Sequence, residues 1–165
     1  MLKFTSRASL ALAFLLVAGC NMMTNKEGGA AKLDPANIPP KVMDSAKARF
    51  PDAQWRSITR ERENNMTIYD FELSSQGKKF EMDIKDDGTI LEIEKEIAAS
   101  ELPEQARRTV ASKYPHGTIK ETLQKSLIKD GKETPHEYEV VVDDGGKEKE
   151  VTMSLDGKVT EESGH

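Results

Sequence analysis

Two stretches of the chain repeat one another, and this repetition limits the possible folds more than any other feature. "IPPKVMDSAKARFPDAQWRSI" from Ile38 and "LPEQARRTVASKYPHGTIKET" from Leu102 align at an offset of 64. That offset matches Ile38 with Leu102, Pro39 with Pro103, Phe50-Pro51 with Tyr114-Pro115, and Trp55 with Ile119. Further on, "YDFEL" from Tyr69 matches "HEYEV" from His136 at an offset of 67, and Asp87-Gly88 matches Asp156-Gly157 at an offset of 69. Three blocks in the same order define a duplicated unit. The drift in offset comes from two small insertions in turn-like stretches, where surface loops tolerate them.

Each unit opens with a predicted helix. Apolar or small residues recur at four-residue intervals, Ile38, Val42, Ala46 and Phe50 in the first copy and Leu102, Ala106, Val110 and Tyr114 in the second. This makes one narrow buried stripe per helix. Prolines suit the first helical turn, where no N–H is needed, and Asn37 and Ser100 stand where N-caps are expected. Pro51 and Pro115 end the helices. Strand-like alternation follows: "QWRSITRE", then "TIYDFEL" and "KFEMDIK" around Gln76-Gly77, then "TILEIE" after Asp87-Gly88. Such pairs favour two-residue hairpins, and Asp144-Gly145 and Asp156-Gly157 occupy the equivalent places in the second copy. A unit of about 60 residues is marginal alone. The expected architecture is therefore α+β: two tandem helix-plus-four-strand antiparallel meander repeats, residues 38–99 and 100–165, forming one sheet with both helices on one face.

The turns set a register. Around Gln76-Gly77, Leu73 faces Phe80, Phe71 faces Met82 and Tyr69 faces Ile84; around Asp87-Gly88, Met82 faces Ile93 and Ile84 faces Leu91. Apolar partners fall on one side across three strands, which supports the pairing. Alternation then puts Asp70, Asp83 and Glu92 in one row of the other face, and Glu72, Glu81 and Glu94 in a second. The second copy keeps part of the pattern, with Glu139 opposite Glu150 and Glu137 opposite Thr152. Like charges directly opposite on a sheet are unfavourable by roughly 0.2–1 kcal/mol per pair. Arg56, Arg60 and Arg62 on the first strand are expected on the same face, where they offset some of this repulsion. Two uses remain for the six carboxylates: a solvated face that keeps sheets from stacking, or a surface for a basic protein or peptide. A calcium-type cation is a third, though calcium takes six to eight oxygen ligands, which a flat sheet supplies poorly.

The N-terminus gives an address. Lys3 and Arg7 precede the apolar run "ASLALAFLLV", which is shorter than the ~20 residues that span a bilayer and fits a secretory signal. It ends in "VAGC", Val17 to Cys20, which resembles the lipobox of bacterial lipoproteins. The resemblance implies cleavage after residues 1–19, lipidation of Cys20, a flexible tether over residues 20–37, and firm anchoring by more than one acyl chain. Asn21 is not the Asp that retains many such proteins at an inner membrane, so an outer membrane facing the periplasm is expected if the source has two. Cys20 is the only cysteine, so no intramolecular disulfide forms. The formal charge is -5, and loss of Lys3 and Arg7 makes it more negative. This excludes general nucleic-acid binding, which needs clustered cations.

The tandem helix-plus-meander pattern behind a lipobox, with its Pro, aromatic-Pro and Asp-Gly landmarks over roughly residues 38–162, resembles the PepSY-like, β-lactamase-inhibitor-like family. The resemblance implies an envelope-exposed binding module, with inhibition or sensing as possible roles. Inhibitors behind the family's name bind through a concave sheet supplied with aromatic side chains; here aromatics are 5% and Trp55 is the sole tryptophan. No catalytic signature accompanies the pattern. His116, His136 and His165 lie in no metal-ligand spacing, and there is no phosphate loop or nucleophile elbow. The expected function is a non-catalytic module, without a cofactor, anchored to a membrane through its lipid. It engages an envelope protein or peptide through Asp70, Glu72, Glu81, Asp83, Glu92 and Glu94, with inhibition of a hydrolase as a sharper form. The alternative is a divalent-cation-responsive extracytoplasmic domain.

Overall fold

A computed structural model describes residues 32–63 and 65–164. Cys20, the tether up to residue 31 and His165 lie outside the described residues. Helix α1 (Pro40–Arg49) leads into strands β1 (Gln54–Glu63), β2 (Met66–Ser75), β3 (Lys78–Lys85) and β4 (Ile90–Glu96); α2 (Glu104–Lys113) leads into β5 (Thr118–Lys129), β6 (Lys132–Asp143), β7 (Glu148–Ser154) and β8 (Val159–Gly164). All eight strands form one antiparallel sheet in sequence order, β1 to β8. The two meanders meet at the β4–β5 pair, where Glu94 lies opposite Lys125 and Ile93 opposite Ser126.

The four-residue stripes are the helix cores. Ile38, Val42, Ala46 and Phe50 pack on Ile58, Phe71, Leu73, Met82, Ile84 and Ile93. Leu102, Ala106, Val110 and Tyr114 pack on Tyr138, Val140, Val142, Val151 and Met153. Strand alternation across the paired registers places all these sheet residues on one face, so both helices share it. Trp55 meets Phe71 edge-on at 5.5 Å, and its counterpart Ile119 borders the second cluster.

The helix starts differ from expectation. Pro40 opens the first turn of α1 as expected, but Pro39 and Pro103 stand just before the first turns, and neither helix has a side-chain cap. Asn37 closes a short 3₁₀ turn that Asp34 caps by accepting from the Ala36 N–H at 2.8 Å. Ser100 sits inside another 3₁₀ turn, where the Glu101 carboxylate accepts from the Ala98 N–H at 2.7 Å. The chain enters each helix extended at its proline, so the capping chemistry moves upstream.

The first meander follows the expected register from Leu73 opposite Phe80 to Asp83 opposite Glu92. Beyond it a bulge shifts the pairing, and Ile84 lies opposite Ile90 rather than Leu91. Ile90, not Leu91, packs on the first cluster. Bulges interrupt β1 between Trp55 and Ser57 and β5 between Ile119 and Glu121, and they interrupt the pairing again at Asp83/Ile84 and Thr152/Met153. These are equivalent places in the two copies, so the bulges belong to the repeat. Each bulge bends its strand and raises its twist.

The Asp-Gly turns do more than reverse the chain. Gly88 has φ 89° and Gly157 φ 81°. A Cβ on Gly88 would stand 2.9 Å from the Lys41 carbonyl oxygen, and one on Gly157 2.8 Å from the Ala106 nitrogen. In both copies a hairpin therefore rests directly on helix backbone, and Thr109 Oγ1 donates to the Gly157 carbonyl at 2.8 Å. Gly77 has φ 76° but open space around it. Gly77→Ala is expected to cost about 1–2 kcal/mol from backbone strain alone. Gly88→Ala and Gly157→Ala add an overpacking cost of about 1–3 kcal/mol. Urea unfolding of the three variants checks this order; equal losses would show that helix contact contributes nothing.

Candidate functional site

Opposite the helices, the sheet carries the two acidic rows as paired strands dictate. Asp70 lies opposite Asp83, which lies opposite Glu92; Glu72 lies opposite Glu81, which lies opposite Glu94. The rows are not left to repel one another. Ser57 Oγ donates to Glu72 at 2.6 Å and Thr59 Oγ1 to Asp70 at 3.4 Å. Lys79 Nζ stands 2.8 Å from Glu81 and 2.7 Å from Glu121, reaching across β4 to the second repeat. Burial opposes the Lys79 charge, but Glu81 and Glu121 override it and raise its pKa above the ordinary lysine value.

The centre of the face lies at the seam between the repeats. Lys125 Nζ stands 2.8 Å from Glu94, 3.4 Å from Glu139 and 3.8 Å from Glu92. Three carboxylates thus share one ammonium. Glu92 is 4% exposed, Lys125 6% and Glu139 3%, although both helices lie on the opposite face. A flat, open sheet leaves such side chains wet. At the seam these side chains are withdrawn from solvent. Burial opposes the Lys125 charge, yet Glu94, Glu92 and Glu139 together raise its pKa, so it stays an ammonium. Glu94 moves up too: burial raises it most, Lys125 pulls the other way, and Glu139, Glu81 and Glu92 add to the rise.

His136 extends the cluster. Its Nε2 lies 3.1 Å from Glu92 and its Nδ1 3.6 Å from Glu137, and Glu137 also accepts from Thr160 Oγ1 at 3.0 Å. The repeat equates His136 with Tyr69, a core residue. A bulge between Lys125 and Ser126, with no counterpart in the β1–β2 pair, moves His136 out of the two-residue alternation and onto Glu92. The duplication is broken at the one place where the charges converge.

Three expectations about this face are corrected. Arg60 lies opposite Tyr69 and Arg62 opposite Thr67, on the helix side, because the bulge at Arg56 inverts the alternation; Ser57, Thr59 and Glu61 take the places beside the acids. Glu139 lies opposite Thr152 and Glu150 opposite Val141, not opposite each other. Glu137 lies opposite Ser154. The cause is the β6–β7 loop, which spans four residues between Asp143 and Glu148, with Gly145 and Gly146 at φ 66° and 84°. Lys79 and Lys125 are the cations that meet these acids, and no local sequence signal points to them. A two-residue turn at Asp130-Gly131, φ 52° and 73°, would have fixed the β5–β6 register at its hairpin end. No short turn joins β4 to β5, so nothing in the sequence alone placed Lys125 beside Glu94.

Among the described residues, no group of three or more His, Cys, Asp or Glu is arranged to hold a metal ion. The family described as "Putative beta-lactamase-inhibitor-like, PepSY-like" matches residues 22–92 and again 69–161. The chain belongs to this family, with two copies of its unit. Solved structures share the fold. A protein of Bacteroides eggerthii described as "putative periplasmic" aligns with a TM-score of 0.59 and 14% identity, over 77% of this chain and 88% of that one. A DUF2874 family protein of Bacteroides uniformis gives 0.56 and 12%, over 76% and 88%. A BLIP-like protein of Bacteroides fragilis gives 0.50 and 19%, over 75% and 84%. No curated protein matches the sequence.

Removing Lys125 strands three carboxylates in a buried setting, and breaking such a cluster typically costs about 3–5 kcal/mol. Lys125→Met is expected to lose stability on this scale at pH 7 and to regain part of it at pH 4–5, as the carboxylates take up protons. Thermal melts across pH check the pattern. A variant that melts like the parent at neutral pH would mean the cluster is already neutralised by other means.

Proposed function

We propose that the protein is a non-catalytic binding module of the cell envelope that engages a protein or peptide through its helix-free acidic face. The observation that carries this reading is the segregation of charge. The helices cover one face of the sheet, and the other gathers Asp70, Glu72, Glu81, Asp83, Glu92 and Glu94 from the first repeat with Glu121, Glu137, Glu139 and Glu150 from the second. Lys79 and Lys125 pair with carboxylates of this face, and His136 lies against Glu92 and Glu137. Such a face attracts a basic surface at long range and rejects acidic ones. The BLIP-like and periplasmic descriptions of structures sharing the fold support an inhibitor-like role outside the cytoplasm. The lipobox-like "VAGC" supports anchoring through Cys20, and Asn21 an outer-membrane position.

The test is affinity capture from envelope extracts with residues 21–165 as bait, comparing the parent with a Glu72→Lys, Glu81→Lys, Asp83→Lys variant. A second variant, Glu81→Gln with Asp83→Asn, removes charge at constant size. The expected result is loss of the captured partner by the first variant and weakening by the second, with circular dichroism unchanged. Retention of every partner by both would overturn the reading. Millimolar calcium is expected to leave the thermal midpoint in place; a calcium-dependent rise would favour a divalent-cation-responsive domain instead.

A further inference from the structure

Among the described residues, the Lys125 cluster gathers more carboxylates than cations. Around Glu94 stand Lys79 and Glu81 on β3, Glu92 on β4, Glu121 and Lys125 on β5, and Glu139, Glu137 and His136 on β6. Of the three carboxylates on Lys125, Glu92 and Glu139 are sealed, whereas the Glu94 side chain is 16% exposed. Glu94 is thus the member that meets both the buried charges and whatever approaches from solvent. Beside the cluster, Thr152 lies opposite Glu139; it is 3% exposed, and its hydroxyl has no hydrogen-bond partner. Hydrogen-bonding capacity and negative charge are both left over at the same spot.

We propose that binding at this face is proton-linked, an arginine or lysine of the partner taking the place of a proton at Glu94. This rests on the binding role proposed above and names both the partner's chemistry and its regulation. A proton and a basic side chain answer the same need, since each removes one unit of excess negative charge from the seam. Their occupancy is therefore mutually exclusive, and linkage requires that each weaken the other. In the unbound protein the Glu94 carboxyl holds its proton to a higher pH than an ordinary glutamate, because burial outweighs the opposing pull of Lys125 and the acidic neighbours add to it. A cation placed beside it favours the charged form. Binding then releases a proton, and affinity rises with pH until Glu94 is ionised in the free protein. The same sign governs stability: a carboxyl raised in the folded state stabilises below its unfolded value, and that contribution fades as pH rises through the folded value.

The probe is a hexa-arginine peptide, titrated calorimetrically into residues 21–165 at pH 5 to 8 in buffers of different ionisation enthalpy. Carboxyl NMR of Glu94 in the free protein is read alongside. The expected results are release of up to one proton per peptide bound, affinity rising several-fold over the range, and Glu94 titrating above other glutamates. Glu94→Gln should flatten the pH dependence while still binding, and should raise the thermal midpoint more at pH 8 than at pH 4. Glu104→Lys, on the exposed outer side of α2, should change neither. Binding that is independent of pH, or Glu94 titrating as an ordinary glutamate, overturns the proton linkage but leaves the acidic face as a docking surface. No binding at any pH, with Glu94 titrating high, overturns the basic partner instead.

Discussion

The fold depends on how one lysine is shared between two halves of a sheet. The apolar core is divided: one cluster under α1 and another under α2, with no buried residue in common. Packing alone gives each half its own centre. The halves are joined by the β4–β5 ladder and, on the helix-free face, by Lys125 holding Glu92 and Glu94 of one repeat and Glu139 of the other. Lys79 makes a second tie, bridging Glu81 and Glu121 across β4. Apolar side chains reinforce the joint from the other face, with Ile128 of the second half bordering the first cluster and Ile97 bordering the second. Buried ion pairs seldom add much net stability compared with well-packed apolar groups. What they supply here is a joint that stays polar on the helix-free face.

Duplication accounts for most of the geometry. Each copy lays a proline-started helix across its meander, seats an Asp-Gly hairpin on that helix, and places bulges at matching points in its strands. Local rules suffice for all of these. The departures are informative because they gather in the second copy, on the face that carries charge. A longer β6–β7 loop breaks the expected Glu139–Glu150 pairing, and the bulge at His136 has no equivalent in the first copy. One copy keeps the plain form of the unit. The other departs from it around its carboxylates.

The helices, their buried stripes, the sheet order and the first meander's acidic rows were all legible in the sequence, because period and turn chemistry act over a few residues. Phe71, Met82 and Ile93 fell on the helix side as alternation requires. Bulges defeated the same reasoning: one extra residue at Arg56 moved Arg60 and Arg62 across the sheet, and another displaced Leu91 in favour of Ile90. Such insertions leave no mark in an alternating pattern until the paired strand is known. The Lys125 cluster was invisible for a related reason. Its members come from β4, β5 and β6, and a helix rather than a hairpin separates the first two, so no turn rule could set their register.

Strand order has a consequence for the growing chain. Every strand pairing but one joins strands linked by a short turn, so most native pairings form early, close to where they are made. The exception is β4 with β5, a pairing that must wait for α2 and the start of β5. In a chain synthesised from its N-terminus, the first repeat spends that interval with β4 as a bare outer strand, a template for unwanted partners. Glu92, Glu94 and Glu96 stud this strand, and two identical chains meeting there would bring acid against acid. The charges that later gather about Lys125 thus have earlier work, guarding an unfinished sheet until its own continuation arrives with the matching cation.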